Sequence, residues 1–300
     1  MSSHRKPVVV GVDGSATALH AVHRAAGRAS RDDLPLRIVH AYELPLGFPS
    51  GVTEEESVLN VLRREGRRWL GEARDVATTV VPGLEVDTEL AAMPATTGLL
   101  RESENASALF LGNRGHTALT GLLVGSTALA LASHANCPVV LIRNGSDNGS
   151  DGSPRTGPVV VGVDGTQASE AAVAFAFAEA SAEDVTLVAL HAYAESVFET
   201  SLVGDDAVLD WQRQRAAAEA ALGERLAGWQ EKYPQVRVER EVVHDRPTRA
   251  LRRCAQTARL VVVGRRGRGG FRDLVLGSTS QQLLHYATCP VAVVRTEVTE

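Results

Sequence analysis

Aromatic residues and cysteines are scarce in this 300-residue chain, and it has no long hydrophobic run. Phe, Tyr and Trp make up only 4% of the residues, so the core must consist mostly of Val, Leu and Ala. Three cysteines, Cys137, Cys254 and Cys289, are too few for a disulfide scaffold and indicate reduced thiols in a cytoplasmic protein. No stretch approaches the roughly 18 apolar residues of a membrane-spanning helix, so we expect no membrane association.

The chain also lacks an excess of positive charge. Its formal net charge is −5, which argues against nucleic acid and anionic membranes as partners, because both attract strongly basic proteins. A hydrophobic content of 44% is normal for a globular protein, and 300 residues suit two ordinary domains better than one.

The sequence contains one domain twice. The segment PVVVGVDG occupies 7–14 and recurs letter for letter at 158–165, an offset of 151. Later landmarks keep this offset to within one residue: FLGNRG at 110–115 matches VVGRRG at 262–267, and NCPVVLIR at 136–143 matches TCPVAVVR at 288–295. Between the copies, 144–157 is rich in Gly, Ser and Asp and predicts a flexible linker. We therefore predict domains at 1–143 and 158–296.

Each copy alternates short apolar runs with longer helical patterns. In the first copy the apolar runs predict strands near 8–12, 36–41, 84–90, 108–111 and 139–142. Their apolar residues are consecutive rather than alternating, which is typical of strands buried on both faces of a parallel sheet. Residues 54–80 instead place apolar side chains at helical spacing. Five strands alternating with four helices predict a doubly wound α/β domain, present twice.

A glycine-rich segment follows the fourth strand of each copy. Gly112 and Gly115 are followed by nine residues and then Gly125-Ser126-Thr127, and the second copy has the same spacing. Glycines allow the backbone to approach an anion closely, and a helix that begins at Gly-Ser-Thr offers unpaired N–H groups to phosphate. In a doubly wound sheet, ligands bind beyond the carboxyl ends of the strands, where this segment and the VDG after strand one both lie.

These motifs together resemble the universal stress protein family: a strand ending in V-D-G-S/T, then G-x-x-G, nine residues and G-S/T. The resemblance covers both copies. It implies the strand order 3-2-1-4-5 and ATP bound by each copy, with Mg²⁺ held through the ATP phosphates; Asp13 and Asp164 are candidate ligands of this Mg²⁺. By resemblance, the ATP contacts of the first copy are Val12, Asp13, Ala41, Leu111, Gly112, Gly115, Gly125, Ser126 and Thr127. Those of the second are Val163, Asp164, Ala192, Val263, Gly264, Gly267, Gly277, Ser278 and Thr279.

Structural interpretations of the same residues stay open. The glycines could form tight turns, and Asp13 and Asp164 could be helix N-caps. An Asp beside bare phosphate would repel it, so it should contact adenine, ribose or a bridging Mg²⁺. His40 and His191 are better interpreted as strand-end histidines with a backbone partner than as ligands. Around the second glycine segment lie Arg265, Arg266, Arg268 and Arg272, against Arg114 and His116 in the first, and we interpret the excess as phosphate attraction.

The function we expect is that of a cytoplasmic ATP-binding regulatory protein of the stress response, with two nucleotide sites per chain. The alternative is a slow nucleotide hydrolase or an adenylating enzyme on the same fold. The G-x-x-x-x-G-K-[ST] and G-x-G-x-x-G motifs are absent, which excludes a P-loop ATPase and disfavours a dinucleotide oxidoreductase. We therefore expect at most a weak ATPase. A nucleotide-free scaffold is a third alternative, against which the intact motifs of both copies argue. We also expect an intramolecular pseudo-dimer through the last strands, or a homodimer, and a protein partner that the sequence does not identify.

Overall fold

The structure is a computed structural model that describes residues 5–44, 53–113, 124–143, 156–165, 169–193, 205–267 and 275–295; for 53–57, 205–212 and 214 it describes the backbone alone. The chain divides into two compact units, Met1–Asn144 and Gly145–Glu300. The first unit contains β1 (Val8–Gly11), α1 (Ala16–Arg31), β2 (Leu36–Tyr42), α2 (Thr53–Val80), β3 (Val86–Ala92), α3 (Ala95–Ser103), β4 (Ala108–Gly112), α4 (Ser126–His134) and β5 (Val139–Ile142).

The second unit repeats this succession of elements. It contains β6 (Val159–Gly162), α5 (Glu170–Ala182), β7 (Leu187–Tyr193), α6 (Asp205–Lys232), β8 (Val238–His244), α7 (Pro247–Cys254), β9 (Leu260–Gly264), α8 (Ser278–Tyr286) and β10 (Val291–Val294). The strand order is β3-β2-β1-β4-β5 in the first unit and β8-β7-β6-β9-β10 in the second, and the strands run parallel. The predicted fold, two doubly wound domains with the order 3-2-1-4-5, is confirmed.

Burial explains why these runs become strands of a parallel sheet. Every residue of β1 is buried, and so is every residue of β5 and β10, in agreement with their consecutive apolar side chains. In contrast, β3 and β8 stand at the ends of the two orders and combine Val with Asp, Glu and Arg. Their residues are only half-buried or exposed, in agreement with the charged side chains that these two strands carry.

The first helix shows how a sequence poor in aromatics builds a dense core. Ala21, Ala25 and Ala29 lie on one face of α1 and are fully buried, so the helix can approach the sheet closely. Ser15 is its N-cap, with a side-chain oxygen that accepts a hydrogen bond from the Ala18 N–H at 3.2 Å. Among the described residues, no helix has both the length and the apolarity needed to cross a membrane.

Backbone details recur in both units as well. Asp33 and Asp184 follow the first helix of their units and adopt φ angles of 53° and 50°. Asp tolerates this left-handed region better than most residues, because its short side chain can bond locally. Gly14 and Gly165 follow the first strands with φ angles of 80° and 75°. The duplication therefore preserves the turns as well as the order of the strands.

The strand order creates one crevice in each unit. Because β1 lies between β2 and β4, the connections that leave its two sides run over opposite faces of the sheet. The chain therefore diverges at the carboxyl end of β1, where such folds bind ligands. In the second unit β6 has the same place between β7 and β9.

We predict that residues 1–144 and 158–300 fold when expressed separately, because each contains a complete five-stranded sheet with its own core. Each half should show cooperative urea unfolding and the circular dichroism of an α/β protein. In isolation, β5 or β10 would be an edge strand, so we also expect each half to self-associate in light scattering. Two strictly monomeric halves would contradict pairing through the last strands.

Candidate functional site

A cavity of about 410 Å³ lies in the second unit at the carboxyl ends of β6, β7 and β9 and at the start of α8. This volume falls within the range of about 300–1,000 Å³ that is typical of small-molecule sites. The nine residues that the sequence predicts for this copy all line it: Val163, Asp164, Ala192, Val263, Gly264, Gly267, Gly277, Ser278 and Thr279. The structure thus brings together segments that are more than a hundred residues apart in the chain.

The strand ends form the apolar wall of this cavity. Val163 continues β6 and donates its N–H to the Leu190 carbonyl at 2.9 Å, so β6 and β7 stay joined up to the cavity. His191 Nδ1 lies 2.6 Å from the Val163 carbonyl oxygen, to which the ring donates because a carbonyl can only accept. His191 is buried, and its backbone partner agrees with the structural interpretation of this histidine, although the side chain also lines the cavity.

The start of α8 supplies hydrogen-bond donors to the opposite wall. Gly277 is the N-cap and has no side-chain cap, and the first intrahelical bond runs from the Gln281 N–H to the Gly277 carbonyl. The N–H groups of Ser278, Thr279 and Ser280 therefore precede the helical ladder. Gly277 itself donates to the Arg265 carbonyl at 2.8 Å, which ties the helix start to the loop after β9. Such a helix start favours an anion.

At two glycines of this wall, neighbouring atoms come so close that an added Cβ would make a tight contact. A Cβ added at Gly267 would lie 3.2 Å from Asp164 Oδ2, and one at Gly277 would lie 3.3 Å from the Arg265 carbonyl oxygen. Neither glycine has a φ in the left-handed region. A side chain at these positions would consequently occupy the space in front of the carboxylate and the loop backbone. The loop is a cradle that a Cβ would narrow, which fits a bound phosphate.

Positive charge collects beside this cradle. Arg266 lines the cavity. Desolvation lowers the pKa of the Arg265 guanidinium, and repulsion from Arg266 and Arg295 lowers it further. A bound anion would relieve this repulsion. Arg268 and Arg272, the other arginines that the sequence analysis counted in this segment, lie outside the described residues.

The cavity is poor in groups for acid–base or metal chemistry. Asp164 is the only carboxylate among the described residues that line it. Within the same described part of the chain, no group of three or more His, Cys, Asp or Glu side chains is placed to hold a metal ion.

In the first unit, burial raises the pKa of the Cys137 thiol to about 12, which leaves it almost entirely protonated at neutral pH and a poor nucleophile.

In the first unit, eight of the nine predicted residues are described, and Gly115 lies outside the described residues. Like their counterparts, the eight lie at the strand ends and at the start of a helix. Val12 and Asp13 follow β1, Ala41 lies in β2, Leu111 and Gly112 end β4, and Gly125, Ser126 and Thr127 begin α4. The N–H of Gly125 donates to the Asn113 carbonyl at 3.0 Å, so α4 is tied to the β4 end as α8 is to β9.

Asp13 stabilises a turn. Its Oδ1 accepts hydrogen bonds from the Ser15 N–H at 3.1 Å and from the Ser15 hydroxyl at 2.6 Å. Ser15, and not Asp13, is the N-cap of α1, so the N-cap interpretation of Asp13 is wrong. The bonds form an Asx turn, which orients the carboxylate at the carboxyl end of β1.

A tryptophan packs beside the carboxyl end of β1 in the first unit. The rings of Trp69 and His40 meet edge to face, with centroids 4.9 Å apart. A Cβ at Gly14 would lie only 2.4 Å from two atoms of the Trp69 indole, so the ring packs directly on this glycine. His40 Nδ1 also contacts the Val12 carbonyl at 2.7 Å. Gly14, His40 and Trp69 thus form one packed cluster beside the end of β1.

Several residues of the second-unit cavity were not predicted from the sequence. Pro247 and Leu251 reach it from α7, and Leu190 and Ser280 complete its walls. Ser280 donates its hydroxyl to the Gly264 carbonyl at 2.7 Å. The signal for α7 was available, because the helix that follows the third strand must cross the sheet beside the first strand to reach the fourth.

Comparisons with known proteins agree on one family. A family model described as the universal stress protein family matches residues 4–143 and again 156–295. A universal stress protein of Mycobacterium tuberculosis is 40% identical over 98% of this chain and 99% of its own length. One of Mycolicibacterium smegmatis is 39% identical over 96% of both chains. The crystal structure of a universal stress protein from Archaeoglobus fulgidus matches 97% of this chain and 98% of its own, with a TM-score of 0.63 at 16% identity, and supports the fold.

We predict that Gly14→Ala destabilises the first unit by about 1–3 kcal/mol, because it places a Cβ inside the indole ring of Trp69 and at a strained φ. The measurement is urea unfolding of the full chain. Gly71→Ala is the control: this exposed helical position has nothing within 4 Å of an added Cβ, and alanine should stabilise the helix by about 0.5–1 kcal/mol. Equal effects of both substitutions would contradict the packing of Trp69 on Gly14.

Proposed function

The chain belongs to the universal stress protein family, and on this basis we propose that it binds ATP at the carboxyl edge of each sheet. We further propose that it regulates a stress response in the cytoplasm through its nucleotide-bound state. The observation that carries the proposal is the cavity of the second unit, which all nine residues predicted for that copy line. ATP is the ligand that the family resemblance implies, because family members with the full motif bind ATP.

The two ends of the cavity suit the two ends of a nucleotide. Ala192, Pro247 and Leu251 offer apolar surface for adenine. Gly267, the N–H groups at the start of α8 and Arg266 offer bare backbone, donors and positive charge for phosphates. The adenine would thus lie against β7 and α7, and the phosphates between the β9 loop and α8.

Mg²⁺ would enter with the phosphates. Asp164 is the carboxylate available to it, through the metal or through a coordinated water, and the metal would offset the repulsion between this carboxylate and the phosphates. A lone carboxylate does not make a site for the metal without nucleotide. Mg²⁺ binding should therefore depend on ATP.

The first unit is proposed as a second ATP site, with Asp13 in the place of Asp164. Regulation is favoured over catalysis because the described lining of the second cavity offers one carboxylate and a histidine whose Nδ1 is bound to a carbonyl. Slow hydrolysis stays compatible with this set, because an ATP-bound metal needs only an oriented water. We also propose that the last strands of the sheets pair, either within one chain as a pseudo-dimer or between two chains as a homodimer.

We predict that Gly267→Val with Gly277→Val lowers the stoichiometry of ATP binding from about two to about one per chain, because branched side chains narrow the cradle. The measurement is equilibrium titration with labelled ATP in the presence of Mg²⁺. Gly125→Val is the matched variant in the first unit and should remove the other site. All variants should keep the circular dichroism spectrum of the parent protein. Unchanged stoichiometry in a folded double variant would place the nucleotide elsewhere.

We predict that the second unit binds ATP about tenfold more tightly than the first at low salt, because its glycine segment carries four arginines in the sequence where that of the first carries Arg114 and His116. Each site is titrated in a variant whose other cradle is blocked, at ionic strengths of about 0.01 M and about 0.3 M. Screening by salt should reduce the difference in ATP affinity between the two sites at the higher ionic strength.

Arg266→Gln tests the contribution of the arginine that lines the second cavity. In the variant whose first site is blocked, it should weaken ATP binding by roughly threefold to tenfold at low salt. An exposed arginine away from the cavity, Arg237, supplies the control substitution to Gln. A tighter first site, or a difference that salt does not change, would contradict the assignment of these arginines to phosphate.

A further inference from the structure

A second recess adjoins the nucleotide cavity of the second unit. It has a volume of about 610 Å³, and we call it the alanine recess because α6 contributes three alanines to its wall. The described residues that line it are Val163, Gly165, His191, Tyr193, Ala217, Ala218, Ala221, Leu222, Glu224 and Arg225. Val163 and His191 also line the nucleotide cavity, so the two spaces share part of one wall.

The duplication identifies the residue that fills this space in the first unit. Helices α2 and α6 are both 28 residues long and start 152 residues apart. At this offset Trp69 corresponds to Ala221. Burial supports the alignment, because Leu70 and its counterpart Leu222 are both buried, at 6% and 2% exposure. The alanine recess is therefore the space that an indole occupies in the other copy.

The surfaces that receive the indole are kept in the second unit. In the first, Trp69 packs on Gly14 and meets the His40 ring edge to face. In the second, Gly165 keeps a positive φ of 75°, and His191 keeps its bond to the backbone of the first strand. At the same offset Ala221 replaces Trp69, Ala218 replaces Gly66 and Arg225 replaces Ala73, so the indole is lost while a guanidinium is added at the edge of the recess.

Polar groups at the recess suit an uncharged aromatic ligand. Arg225 donates to the Gly165 carbonyl, which holds a guanidinium beside the recess, where it can interact with a ring face. Glu224 lies on the same helix and offsets its charge. The buried hydroxyl of Tyr193 has no hydrogen-bond partner among the described residues, whereas the hydroxyl of its counterpart Tyr42 accepts from Arg63 at 3.0 Å.

We propose that the alanine recess binds a small, uncharged bicyclic aromatic molecule of the size of indole. Its ring would take the place that Trp69 fills in the first unit, between Gly165 and His191. The recess is thus a ligand site of the second unit alone. This site does not depend on nucleotide binding, although its ligand would touch the same strand end.

The test uses the full chain and indole as the probe, with calorimetry for stoichiometry and ligand-observed NMR for affinity. We expect about one indole per chain, and Ala221→Trp should weaken binding at least about tenfold by filling the recess. Ala227→Trp, at an exposed position of the same helix outside the recess, should leave the affinity unchanged. Trp69→Ala should open the equivalent space in the first unit and raise the stoichiometry to about two.

Two further measurements separate the recess from the nucleotide cavity. Saturating ATP should not displace indole, and the Gly267→Val, Gly277→Val variant should bind indole with the affinity of the parent protein. Ala221→Trp should keep the circular dichroism spectrum and the ATP stoichiometry of the parent. A folded Ala221→Trp protein that retains full indole affinity, or displacement of indole by ATP, would overturn the proposal.

Discussion

The parallel sheet of each unit must be buried on both faces, and the rest of the structure depends on this constraint. A strand such as β1, with all its residues buried, needs helices above and below it and parallel neighbours on both sides. The chain can provide these only if its crossovers leave the first strand in opposite directions. The crevice at the carboxyl end of that strand follows from this divergence, and in the second unit it becomes the cavity.

Because the chain contains the same domain twice, its two units can be compared with each other. Features common to both units, such as the left-handed Asp after the first helix and the histidine bonded to the first strand, belong to the fold or to a shared function. Features found in one unit mark divergence. Trp69 and Ala221 occupy the same helical position, and the exchange alters the space beside the strand end without altering the sheet around it.

Most of the fold could be predicted from the sequence, because apolar runs, helical spacing and the repeat are all local patterns. The nine residues of the second cavity could be named as well, since repeated glycine spacing singles out the loop after the fourth strand. The strand order predicts that α7 passes beside the first strand, but it does not predict that Leu251 reaches the cavity or that Trp69 packs on Gly14, because both depend on how a helix lies against a strand end. The turn formed by Asp13 and Ser15 required side-chain geometry as well.

The bond between His191 and Val163 also determines the tautomer of the imidazole. Since the carbonyl oxygen cannot donate, the hydrogen of the neutral ring resides on Nδ1, and the lone pair resides on Nε2. His40 has the same arrangement in the first unit. In the first unit Nε2 lies on the side of α2, where a Cβ added at Gly66 would be 3.3 Å away. A neutral histidine of this tautomer therefore presents an acceptor, and not a donor, to the helix that covers the strand end.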